Sequence, residues 1–198
     1  MVDESLTEKY EQLYNSLRGI IRESESRVLS ANPDSLLIDN VNFFVKSYMI
    51  SICTYLESFL QDLAYGYAGE VSARVKSADL PLNYFIWKMS KDHKEKDLRF
   101  SNIDLSVTKK EISDTISANP YRTIVAFRYL GVNLLSAPEF NSNKSVVEAV
   151  VSKRNNIVHH NDRAADISFS DLVSYVDIFI VYMRAVYKAV DSKRKEAS

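Results

Sequence analysis

Apolar positions recur at steps of three and four along most of the chain, a period that predicts helices rather than strands. From Ser5 to Leu29, the residues Leu6, Tyr10, Leu13, Leu17, Ile20, Ile21 and Val28 line one face of an amphipathic helix. Asn32-Pro33-Asp34 ends it and supplies a cap for the next. A long second helix is expected from about Leu36 towards Lys76, with Phe44, Tyr48, Ile52, Tyr55, Phe59 and Leu63 on its buried stripe. Gly66 and Gly69 are expected to kink or interrupt it, since each costs up to about 1 kcal/mol relative to alanine in a helix interior. Asp79-Leu80-Pro81 is a break.

The middle of the chain is less regular. Leu82–Met89 reads as a short aromatic helix and Lys91–Arg99 as a solvated mixed-charge loop. Thr108 and Glu111 have capping-box spacing before a short helix ending near Asn119. Pro120 suits the first turn of another helix, which Gly131 would close. Asn141-Ser142-Asn143-Lys144 then leads into a helix through Val146, Val147, Val150 and Val151. A final helix starts near Ser168–Ser170 and places Leu172, Val176, Phe179, Met183, Val186 and Val190 on one face. The expectation is an all-α fold: one domain over residues 1–198, a bundle of antiparallel helix hairpins.

Composition narrows the functional classes. Four glycines and four prolines in 198 residues leave little for Gly-rich phosphate loops or many-stranded sheets. The single cysteine, Cys53, excludes a disulfide scaffold and a Cys-based zinc site, and its apolar neighbours mark it as a core residue. The net charge of −1 predicts neither DNA-coating nor membrane-surface behaviour, although a local basic site stays open. Both of the most apolar stretches carry charges: Lys46, Glu57 and Asp62 in one, Asp177, Arg184 and Lys188 in the other. That argues against membrane spans. With an acidic start and no targeting signal in Met1 to Ser5, a soluble, cytoplasmic protein is expected. The twelve tyrosines and nine phenylalanines follow helical spacing and are expected in the core rather than in a base-stacking platform.

Phosphate-loop, zincin and nucleophile-elbow motifs are missing. The three histidines are His93, in the charged loop, and the adjacent His159 and His160. The last two stand in a polar run, Lys153 to Asp162, within a stretch from Lys144 to Arg163 of net charge +2. On a helix Asn155 shares a face with His159, and Asn156 with His160; Arg154 joins either only if the last turn loosens. As a helix-end residue, Arg154 is expected to add little to the core. Arginine beside histidine suits phosphodiester chemistry: a rigid cationic fork for phosphate oxygens and a proton carrier near neutral pH. The same residues also suit a plain polar helix end that satisfies orphan carbonyls. Adjacent histidines point apart and no further Cys or His ligand is evident, so no metal and no cofactor is implied.

Arg154-Asn155-Asn156-Ile157-Val158-His159 resembles the R-N-x-x-x-H motif of HEPN domains, and Tyr55-Leu56-Glu57-Ser58-Phe59-Leu60 is similar to a stretch of RiboL-PSP-type members. The resemblance covers about Leu36 to Val190 and leaves residues 78–142 as an insertion. It implies a metal-independent endoribonuclease that works as a homodimer with a composite active site, used as a toxin or antiviral-defence effector. RNA would be the substrate, with an antitoxin or defence-system partner and no membrane. Carried over, His159 acts as general base or acid at the ribose 2′-hydroxyl, Arg154 holds the scissile phosphate, and Asn155 orients one of them. His160, Glu57 and Asn156 are accessory candidates. Glu57 either orients the site or is an exposed charge on the outer face. His160 stands where many relatives have a small residue, and either histidine fits the motif's spacing. Asn161 replaces the tyrosine at which some relatives are silenced. The alternative implied by the same resemblance is a non-catalytic interaction or nucleotide-binding module.

Overall fold

A computed structural model describes residues 4–89, 94, 98–160, 164 and 166–196, the side chains of Glu4 and His160 excepted. The elements are α1 (Glu4–Val28), α2 (Ser35–Asp39), α3 (Val41–Ser77), α4 (Leu82–Met89), α5 (Lys109–Thr115), α6 (Pro120–Tyr129), α7 (Pro138–His160) and α8 (Phe169–Glu196). A 3-10 turn at Leu134–Ser136 joins α6 to α7. Among the described residues there is no strand, only a lone bridge between Pro81 and Asn102. The chain is all-α.

The four long helices α1, α3, α7 and α8 pack on one another, and cross-helix pairs give their directions. Tyr10 meets Asp62 and Ser24 meets Tyr48, so α1 and α3 are antiparallel. Arg18 pairs with Asp177 and Arg184 with Glu11, so α1 and α8 are antiparallel as well. Glu57 with Arg154, and Asn42 with Ala164 just beyond the end of α7, set α3 against α7 in the same sense. Tyr14, Phe59, Tyr67, Phe140, Phe179 and Tyr182 fill the seams. Tyr14 donates its buried hydroxyl to the Ile52 carbonyl at 2.8 Å. Most aromatic residues thus follow the expected inward pattern; those of α4 do not.

Four boundaries differ from expectation. Helix α5 ends at Thr115 rather than near Asn119, because the backbone turns extended at Ile116. The second predicted helix is two, because Asn40 closes α2 before α3 begins. Helix α3 then runs through Gly66 and Gly69 without a break, since tertiary packing of Leu63, Ala64, Tyr67 and Ala68 outweighs the glycine cost. Helix α7 begins at Pro138, not near Lys144, and the polar run Asn141–Asn143 lies within its first turns. The amides there bond back to carbonyls, Asn141 to Leu135 at 2.7 Å and Asn143 to Glu139 at 2.7 Å. Asp34, as expected, caps its helix by accepting from the amides of Leu36 and Leu37.

Candidate active site

Helix α7 buries Val147, Val150, Val151 and Ile157. At 100° per residue, Arg154 falls on the same face, between Val151 and Ile157. An arginine therefore occupies a position of the apolar stripe, turned into the seam with α3. There its Nη2 donates to Glu57 Oε2 at 3.0 Å, with the two side chains only 19% and 33% exposed. The pair is held in a partly desolvated place, where an ion pair is worth more than at an open surface. The Arg154 Nε–H is buried and meets no acceptor among the described residues. Cys53, one turn before Glu57 on α3, lies against the same guanidinium; burial pushes its thiol up to about 11, and the arginine only partly offsets this.

The structure corrects the expectation that Arg154, as a helix-end residue, adds little to the core. Helix α7 stays regular for six residues beyond it, so Arg154 belongs to the packed seam. The same regularity separates the motif residues. His159, five positions on, is turned about 140° around the axis from Arg154 and is exposed. Asn155 is half-buried and Asn156 is exposed. His160 ends the helix. His93 and Asn161 lie outside the described residues. The structure thus brings Arg154, Glu57 and Cys53 together, and leaves His159 on a different face of the same helix.

Beyond α7 the chain is pinned twice. Asn42, in the first turn of α3, accepts the Ala164 N–H at 3.0 Å, and Lys153 pairs with Asp166 at 3.0 Å. Among the described residues no group of three His, Cys, Asp or Glu converges as a metal site. No described helix is long and apolar enough to cross a membrane.

The family model described as RiboL-PSP-HEPN matches residues 9–192, which include most of α1 and everything between α3 and α7, so residues 78–142 fall within the match and not outside it as an insertion. The chain belongs to this HEPN family. No curated protein and no solved structure matches it. In this HEPN chain the motif helix and the Glu57 helix are the two that meet across the Arg154 seam.

Sequence reasoning missed Asn42, Lys153 and Asp166, because their partners are set by chain tracing after α7 and no periodicity announces that. It also missed Cys53 as a neighbour of Arg154, although its i, i+4 spacing from Glu57 was a usable signal.

Proposed function

We propose that the protein is a metal-independent endoribonuclease acting as a toxin or antiviral-defence effector. The observation carrying this reading is Arg154: a cation in the motif position of a HEPN chain, fixed by Glu57 in a partly buried seam. A guanidinium so oriented is suited to hold a phosphodiester and to stabilise the charge that builds on it during attack. His159 takes the proton from the ribose 2′-hydroxyl or delivers one to the leaving 5′-oxygen, and Asn155 orients one of the two groups. The 2′-oxygen attacks phosphorus, the P–O5′ bond breaks, and a 2′,3′-cyclic phosphate and a 5′-hydroxyl result.

A homodimer supports this chemistry geometrically. Within one chain Arg154 and His159 diverge around α7, so a second copy across the motif helix would supply the complementary set. Val158, exposed beside His159, and Phe43 and Ile50, exposed on α3, are available for such a contact. One observation favours the alternative of a non-catalytic binding or interaction module: Arg154 is engaged by Glu57, and no described contact joins it to His159.

Purified protein is expected to cut RNA in excess EDTA and to leave DNA intact, since DNA lacks the 2′-hydroxyl. His159→Ala should lower the rate roughly 10²–10⁴-fold. If His160→Ala abolishes cleavage and His159→Ala does not, the longer motif spacing is correct. Wild-type protein that cuts no RNA, with or without Mg²⁺, while still binding a partner, would replace the enzyme with the interaction module.

A further inference from the structure

Helix α4 is the anomaly of the fold. Six of its eight residues are apolar, yet none is buried. Leu82 and Ile86 are half-covered on its inner side, whereas Tyr84, Phe85, Trp87, Lys88 and Met89 face outward. A helix this apolar normally disappears into a core. Tyr84 and Trp87, each 57% exposed, present rings 5.9 Å apart and tilted by 56°. The Lys88 ammonium sits 4.3 Å above the Trp87 ring. The surface is also held in place: Leu82 N–H donates to the Ser101 carbonyl, Ile103 N–H to that of Leu80, and Arg99 N–H to the Asn83 side chain at 2.6 Å. These bonds set Arg99 and the fully exposed Phe100 beside the start of α4.

The geometry points to a single-stranded RNA platform on this surface, in which bases stack on Tyr84, Trp87 and Phe100 while Lys88 and Arg99 meet the phosphates. This deepens the nuclease reading and rests on it for the RNA. Charge selects the occupant. Across α4 and residues 98–103 the sequence carries two cations, Lys88 and Arg99, and no Asp or Glu, in a chain whose net charge is −1. Rings interleaved with cations are what a strand with unpaired bases requires, because every base offers a π-face and every linkage a negative charge. A second copy fits less well, since a twofold contact centred on Trp87 would bring Lys88 against Lys88. A bilayer also fits less well: α4 rises only about 12 Å, and its aliphatic Leu82 and Ile86 face the protein. Ser77, five residues before α4, lies about 30 Å along α3 from Glu57, so the platform serves strands long enough to reach the seam.

Trp87 is the only tryptophan, which makes its emission a reporter confined to the platform. The full chain should be titrated with 2′-O-methyl oligouridylate, which has unpaired bases but no 2′-hydroxyl to attack. Heparin, duplex RNA and phosphatidylglycerol vesicles provide the comparisons. Quenching by the single strand alone is expected, with affinity lowered about five- to a hundredfold in Tyr84→Ala and also in Trp87→Ala, followed for the latter by anisotropy of a labelled strand. Equal quenching by heparin would reduce the surface to plain charge, and response to vesicles alone would assign it to a membrane. A signal that changes only with protein concentration would assign it to a second copy; each of these outcomes overturns the proposal. Quenching retained by a wild-type protein that cuts no RNA would sink the nuclease and leave the platform. Cleavage without quenching would do the reverse.

Discussion

Arg154 on α7 and Glu57 on α3, 97 positions apart in the chain, meet at 3.0 Å inside the seam between the two helices. Neither residue has another ion-pair partner among the described residues that would hold it there. Each is therefore the other's reason for tolerating partial burial.

That mutual dependence predicts coupled losses. Glu57→Ala and Arg154→Ala should each destabilise the fold by about 1–2 kcal/mol, between the values for exposed and fully buried pairs. The double variant should cost clearly less than the sum. Glu57→Gln, which keeps an acceptor, should retain most of the stability and lose more in cleavage than in melting. Urea unfolding of the four proteins checks this, and strict additivity would show that the pair carries no coupling.

Replacing Arg154 by Lys separates charge from geometry. The charge stays, but a compact ammonium cannot reach Glu57 and phosphate in the fork arrangement. Melting close to wild type with cleavage reduced at least about tenfold is the expected result. Full activity in Arg154→Lys would mean that a point charge suffices.

Cys53 should behave as an inert thiol. Burial pushes its ionisation up to about 11, so almost none is thiolate at neutral pH. An aromatic disulfide reagent at about pH 8 is expected to label the native protein very slowly and the guanidinium-unfolded chain at once. Rapid native labelling would mean that the seam opens readily.

Glu11 and Arg184 join α1 to α8 through two bonds of 2.6 Å each. The guanidinium beside Glu11 holds its carboxyl below the ordinary range, against a smaller opposing effect of burial. A folded-state pKa that is depressed contributes stability above the unfolded value and loses it as pH falls through the folded one. Arg184 is 52% exposed and Glu11 21%, so solvent still screens the pair in part, and Arg184→Gln should lower Tm by about 1–4 °C at neutral pH. The gap to wild type should shrink from about pH 5 to about pH 3. A gap that widens on acidification would reverse the assigned sign.

Two glycines should respond oppositely to alanine. Gly131 follows α6 at φ +75°, in the left-handed region, and Gly131→Ala should cost about 1 kcal/mol. Gly69 is inside α3, and a methyl there meets no atom within 4 Å, so Gly69→Ala should stabilise by about 0.5–1 kcal/mol. Thermal melting of both variants decides the matter.

What the sequence determined by itself is what local periodicity controls. The stripes Leu6 to Val28, save Ile20, which is left exposed, and Leu172 to Val190, the cap at Asp34, the capping box at Thr108 and the extent of Leu82–Met89 all follow from side-chain spacing and short-range hydrogen bonds. The motif of Arg154 and His159 was also legible, because its residues lie five positions apart on one helix. Tertiary structure decided what depends on a partner far away in the chain. It carried α3 through Gly66 and Gly69 by packing their neighbours, and drew Arg154 into a partly buried seam by offering Glu57. It left the rings of α4 outside, since an apolar helix is buried only where another face is free to cover it, and the long helices had already filled their seams with one another. Spacing says which residues share a face; only the assembled bundle says what that face meets.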